Sequence, residues 1–164
     1  MRILLYTSLV FFSLLLCSQV VKAETAPEFA LINIDGNAFS LCDLRGKIVL
    51  LDFFATWCEP CVAEMPHLRA VQNEFREELV VISIGIDPDY DTVERLKQFR
   101  SGFNITWTLA RDTAGVSTRY NVTAIPALYV LDQSGYVKFR HVGLTEETVL
   151  MMEIGKLLPV RFFN

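Results

Sequence analysis

Two short, almost continuously apolar runs, "IVLLDFFA" at 48–55 and "LVVISIGI" at 79–86, set the strongest limit on how this chain can fold. Runs of this length with little polar alternation suit strands covered on both faces, as in the centre of a parallel sheet. Between them the apolar positions Cys61, Met65, Leu68, Val71 and Phe75 recur at steps of four and three, the period of an amphipathic helix. Strand, helix, strand at this spacing predicts a βαβ crossover. Pro66, inside the helix, removes an amide donor and crowds the preceding turn, so a kink is expected there.

The flanking segments extend this unit. "PEFALINIDGNAFSLCDLRGK" reads as two short strands around the turn Asp35-Gly36-Asn37, closed by Arg45-Gly46-Lys47. "DTVERLKQFR" at 91–100 reads as a mostly solvated helix. "ALYVLD" and "YVKFRHVG" flank Gln133-Ser134-Gly135 as a hairpin. Thr145 is placed to cap a last helix whose first turn carries Glu146 and Glu147, favourable at the positive helix end. Its apolar face would be Leu150, Ile154, Leu157 and Leu158. The expected order, ββ-βαβ-α-ββα, gives an α/β fold: a central mixed sheet flanked by helices on both faces, preceded by an N-terminal β-hairpin.

A chain of 164 residues is one domain's worth. Residues 1–23 read as a signal peptide, with Arg2 at the start, an apolar stretch from Ile3 to Leu16 and an exit at Val21-Lys22-Ala23; residues 24–164 are the domain. Two rivals stand beside that reading. An uncleaved membrane anchor is one, diluted by Thr7, Ser8, Ser13, Ser18 and Gln19. A lipoprotein site at Cys17 is the other, weakened by the bulk of Leu16 before it. All three place the domain outside the cytoplasm. Without Arg2 and Lys22 the remainder carries 13 basic and 19 acidic residues, a net charge of −6. With no Lys/Arg cluster, nucleic-acid binding is excluded as a function class.

Beyond Cys17, three cysteines remain: Cys42, Cys58 and Cys61. That number is odd and too small for a stapled framework, so the close pair Cys58-x-x-Cys61 points to a disulfide that works rather than one that holds the fold. Cys42 is expected as a small apolar side chain in a turn near the sheet. A strand ending near Thr56 and a helix starting soon after put Cys58 at a helix N-terminus, where free N–H groups and the macrodipole favour the thiolate, the attacking species. Cys61, one turn on and more buried, is then the thiol that resolves the mixed disulfide. Pro60 is tolerated in the first turn and stiffens the loop. Glu59 places a negative charge beside the developing thiolate, which opposes ionisation and favours a more reducing couple.

Asp52 lies inside the first apolar run, where an unpaired carboxyl should hold its proton above the reference pKa of about 3.9 and, once ionised, can serve as acceptor for Cys61. Glu64, one turn beyond Cys61, is the second candidate for that proton handling. Structural zinc is disfavoured because one Cys-x-x-Cys pair supplies too few ligands, and haem attachment because Val62, not His, follows Cys61. A Cu(I) carrier using the same two cysteines remains the rival from another class, and a peroxide-reducing peroxiredoxin a weaker one. His67 and His141 are expected as satisfied surface or edge residues. The reading calls for no cofactor and no metal.

"DFFATWCEPCVAEMP", followed by "VTAIPALYVLD", resembles the thioredoxin superfamily, and within it the exported TlpA/ResA-like thiol–disulfide oxidoreductases. The resemblance spans roughly Pro27 to Leu158 and implies a thioredoxin-like fold. It implies Cys58 as nucleophile, Cys61 as resolving thiol and Glu64 as the acidic residue that tunes them. Pro126 resembles the superfamily's cis-proline, with Ile125 offering backbone hydrogen bonds to an extended substrate. Trp57, Glu59 and Pro60 complete the implied substrate-binding surface. The implied partners of this monomer are disulfide-containing proteins, with apocytochrome c first among them, and a membrane thiol that donates electrons. The chain departs from many TlpA-like relatives in carrying Asp rather than Asn at position 52.

Overall fold

The computed structural model describes residues 24–158; residues 1–23, on which the leader and Cys17 expectations fall, and residues 159–164 lie outside them. A two-stranded antiparallel hairpin, β1 (Ala30–Ile32) and β2 (Ala38–Ser40), leads into a single 3-10 turn over Leu41–Leu44. Then follow β3 (Ile48–Phe54), α1 (Glu59–Glu74), β4 (Leu79–Gly85), α2 (Val93–Gly102), β5 (Thr108–Arg111), α3 (Val116–Arg119), β6 (Ala127–Leu131), β7 (Val137–Val142) and α4 (Glu147–Leu157). The five-stranded sheet has the order β5-β4-β3-β6-β7. β3 is parallel to β4 and antiparallel to β6, and all seven of its residues are buried. The expected βαβ crossover is therefore the centre of the fold.

Side chains alternate across a strand, so β3 feeds two cores. Ile48, Leu50 and Phe54 pack with Cys61, Met65, Leu68 and Val71 of α1, Leu96 and Phe99 of α2, and Leu150 and Ile154 of α4. Val49, Leu51 and Phe53 pack on the other side with Ile82 and Ile84 of β4 and Tyr129 of β6. That second face is closed by Phe29, Leu31 and Leu41 of the hairpin region and by Val116 and Tyr120 of the α3 segment. Each such Leu or Phe contributes roughly 1.5–3 kcal/mol on burial. By parity Asp52 falls on the face that carries α1. Pro66 lies within α1, which continues through it to Glu74.

Four expectations need correction. β5 and α3 were absent from the expected order; both are four residues long, too short for a periodic signal. α2 begins at Val93 with the Thr92 hydroxyl accepting the Arg95 N–H, which leaves Asp91 in the preceding loop rather than in the helix. Thr145 does not cap α4: the cap position is Glu146, and the Thr145 hydroxyl donates to the Gly143 carbonyl at 3.2 Å. Cys42 is a free, exposed thiol with its Sγ 3.1 Å from Ser40 Oγ. Leu41, fully buried beside it, takes the inward position in that turn.

Candidate active site

Between the end of β3 and the start of α1 the chain makes one tight turn, Cys58 N–H donating to Ala55 O at 3.1 Å. Cys58 is the N-cap of α1, and its Sγ accepts the Cys61 N–H at 3.3 Å. The sulfur thus occupies the place where an anion gains most from free backbone donors, an effect of about 0.3–1 kcal/mol at exposed sites and up to ~2 kcal/mol when partly buried. Cys58 and Cys61 are joined in a disulfide. Cys58 is 5% exposed and Cys61 0%, so an incoming partner meets Cys58 first. Pro60 sits in the first helical turn, where no N–H is needed.

The residues singled out around the pair take different positions. Glu59 and Pro60 are exposed, and Trp57 is exposed with its Nε1–H donating to Asp87 Oδ2 at 3.1 Å. The Ile125–Pro126 peptide bond is cis. Ile125 packs against the core cluster that contains both cysteines, and Gly143 N–H donates to Pro126 O at 2.8 Å, fixing the β7 end to this loop. His67 is held by Glu147 across the α1–α4 contact, and His141 Nε2 lies 2.8 Å from Glu153 Oε2, so both rings are satisfied as expected.

Asp52 and Glu64 are both completely buried. Burial pushes the Asp52 carboxyl up to about 7, opposed by the Ser83 hydroxyl, which donates to Oδ2 at 2.6 Å. Burial also drives Glu64 up to about 8, with the Asp52 charge adding to the rise and the Thr145 N–H, donating to Oε1 at 2.9 Å, working against it. Glu64 therefore claims the amide of the residue expected to cap α4, and ties α1 to the turn before that helix. Each carboxyl keeps one oxygen, Asp52 Oδ1 and Glu64 Oε2, buried without a partner among the described residues. Two such groups in electrostatic reach of each other favour a protonated state near neutrality.

Sequence reasoning missed a second layer. Asp91, fully buried, accepts from the Thr56 N–H at 3.2 Å and from the Thr56 hydroxyl at 2.5 Å. It thereby pins the residue two before Cys58. Its carboxyl is raised by burial, with the Thr56 bonds opposing. Asp87 of the same loop holds Trp57. In the sequence, Asp87-Pro88-Asp89 signals only a chain break, because the partners lie some 30 residues away. Asp91→Ala orphans the part-buried Thr56 amide and hydroxyl and should lower the urea-unfolding free energy by about 2 kcal/mol, whereas Asp91→Asn, which keeps the acceptor, should cost less than half of that.

A five-stranded mixed sheet flanked by helices, with a Cys-x-x-Cys disulfide at the start of the helix that follows a central strand, defines a thioredoxin-like thiol–disulfide oxidoreductase. The chain belongs to the AhpC/TSA family, whose model matches residues 23–140. It is 34% identical over 124 residues to the thioredoxin-like protein YneN of Bacillus subtilis, covering 76% of this chain and 73% of that protein. It is 32% identical over 123 residues to the thiol-disulfide oxidoreductase ResA of Geobacillus kaustophilus, covering 74% of this chain and 69% of ResA. Among solved structures, a thioredoxin-family thiol:disulfide interchange protein from Chlorobium tepidum superposes with a TM-score of 0.75 at 26% identity, covering 84% of this chain and 97% of that one.

Proposed function

We propose that this oxidoreductase works outside the cytoplasm as a reductant of disulfide-containing proteins, with Cys58 as nucleophile and Cys61 as resolving thiol. In the reduced protein the Cys58 thiolate attacks one sulfur of the substrate disulfide, and the other leaves as a thiolate. Cys61 then gives up its proton to the Asp52 carboxylate, in its ionised form, and attacks Cys58 Sγ. The Cys58–Cys61 bond forms as the bond from Cys58 to substrate breaks, and the substrate leaves with both electrons. The observation that carries this reading is the pairing of an N-cap sulfur that accepts the Cys61 N–H with a partner sulfur sealed from solvent.

The reducing direction is supported by charge. An oxidant stabilises its dithiol form strongly, chiefly as thiolate. Here exposed Glu59 adjoins Cys58, and two buried carboxyls share the α1 face of the sheet. The Glu59 charge offsets the helix terminus, and ionisation of either buried carboxyl adds to that. The resemblance to ResA-like proteins, together with the leader read in residues 1–23, favours an exported site of action, a membrane thiol as electron donor, and apocytochrome c as substrate.

The test is the equilibrium potential of the Cys58–Cys61 couple, measured against glutathione and dithiothreitol. A value below the glutathione range of roughly −220 to −260 mV is expected. A value near that of a strong oxidant, about −120 mV, overturns the direction. Reduction of an oxidised Cys-x-x-Cys-His peptide faster than of insulin is the expected substrate preference; equal rates remove the apocytochrome assignment.

A further inference from the structure

Trp107, in the core cluster that also holds Cys58 and Cys61, opens a buried chain of hydrogen bonds that the disulfide chemistry by itself does not use. Trp107 Nε1 lies 2.8 Å from Ser83 Oγ, and Ser83 Oγ lies 2.6 Å from Asp52 Oδ2. Ser83 and Asp52 are fully buried and Trp107 is nearly so. The three come from separate segments: Asp52 from β3, Ser83 from the register position opposite it on β4, and Trp107 from the turn before β5.

The direction of the chain follows from the donors available. An indole N–H can only donate, so Ser83 Oγ accepts from Trp107. A buried hydroxyl proton left without an acceptor is costly, and Asp52 Oδ2 is the acceptor in reach of Ser83 among the described residues. Oδ2 is therefore occupied as an acceptor, and a proton on Asp52 has one place left, Oδ1, the oxygen without a partner. We propose that Trp107 and Ser83 are positioning residues of the resolving step, directing the exchangeable proton of Asp52 to Oδ1. This rests on the reading of Asp52 as proton acceptor for Cys61. In that step Cys61–SH and the Asp52 carboxylate become the Cys61 thiolate and a carboxyl protonated at Oδ1. The thiolate then displaces substrate from Cys58.

The groups around Asp52 are few. Glu64 on α1, with its own unpartnered oxygen Oε2, is the titratable neighbour, and the Asp52 charge raises its affinity for a proton. β4 contributes Ser83 and β6 the apolar Leu128. Removing the donor at Oδ2 strips the carboxylate form of its hydrogen bond and favours the protonated form.

The experiment is a stopped-flow measurement of the resolving step, starting from a preformed Cys58 mixed disulfide with a chromogenic thiol, across pH 5–9. Ser83→Ala should move the midpoint of the rate profile upward by about one pH unit and slow release about fivefold at pH 7. Trp107→Phe should shift it in the same direction by less, because Ser83 is freed to turn away. Ser83→Thr, which keeps the hydroxyl, should restore the profile. The pH profile of the attack step by Cys58 should stay in place in all three. Unshifted resolution in Ser83→Ala and Trp107→Phe, with Asp52→Asn slowing it, overturns the relay alone. Unchanged resolution in Asp52→Asn removes the reading beneath it as well.

Discussion

Replacing Cys61 by Ser leaves attack intact and abolishes release: covalent adducts between Cys58 and substrate accumulate, and multiple-turnover disulfide reduction falls by about a thousandfold or more. The size of the effect follows from geometry. Cys61 is one helical turn from Cys58, with its backbone N–H on the Cys58 sulfur at 3.3 Å, so the resolving thiol is held at an effective concentration far above millimolar external thiol. Without it, release depends on bimolecular exchange with added glutathione. With the exposed thiol at position 42 also removed by Cys42→Ser, Cys58→Ser should form no adduct, since the thiol at position 61 is sealed from solvent. Non-reducing electrophoresis with intact-mass analysis after mixing each variant with oxidised substrate reads the outcome directly. Equal adduct yields from the two variants would reverse or erase the assignment of roles.

The parts of this site that were legible in the sequence are those set by local chain chemistry. Apolar runs identify β3 and β4, and the four-three spacing identifies α1. A cysteine just past a strand end has little choice but to cap the helix that follows. The carboxyl at 52 stood out because it interrupts an apolar run. What stayed hidden depends on contacts between distant segments. β5 is recognisable only through its pairing with β4, in which Leu109 lies opposite Ser83. Asp91 looks like a helix-start residue until Thr56 is seen to need its oxygen. Thr145 carries a good capping side chain, yet its amide belongs to Glu64, 81 residues away in sequence. Glu64 itself could equally have been a solvated helix residue; its burial and its bond from the Thr145 N–H are visible only in the folded chain. Ser83 and Trp107 carry no local signal at all, since a Ser in an apolar strand and a Trp before a short one are each compatible with simple core filling.

The same enclosed carboxyls make folding stability depend on pH in a sense opposite to ordinary acid denaturation. Asp52 and Glu64 titrate near 4 when unfolded, and burial raises them to about 7 and about 8 in the folded protein. Between those values the folded state holds protons that the unfolded state has released, so stability falls as pH rises. Their stabilising contribution is complete below pH 4 and is lost as pH climbs through 7 to 8. Each pH unit between the folded and unfolded titrations corresponds to at most about 1.4 kcal/mol, a ceiling lowered by water penetration. A net loss of about 3 kcal/mol between pH 5 and pH 9 is expected for the oxidised protein, or about 10 °C in Tm for a domain of this size. The double variant Asp52→Asn/Glu64→Gln removes both ionisations while keeping acceptors for Ser83 and Thr145, and its Tm should change by less than about 3 °C across the same range. Because both proteins retain the disulfide, ionisation of Cys58 and Cys61 does not enter, and the Cys42 thiol is common to both. Calorimetric melting of the two proteins side by side decides the matter: parallel curves from pH 5 to 9 would mean that the buried pair does not hold its protons, and that a base for Cys61 must be sought elsewhere in the domain.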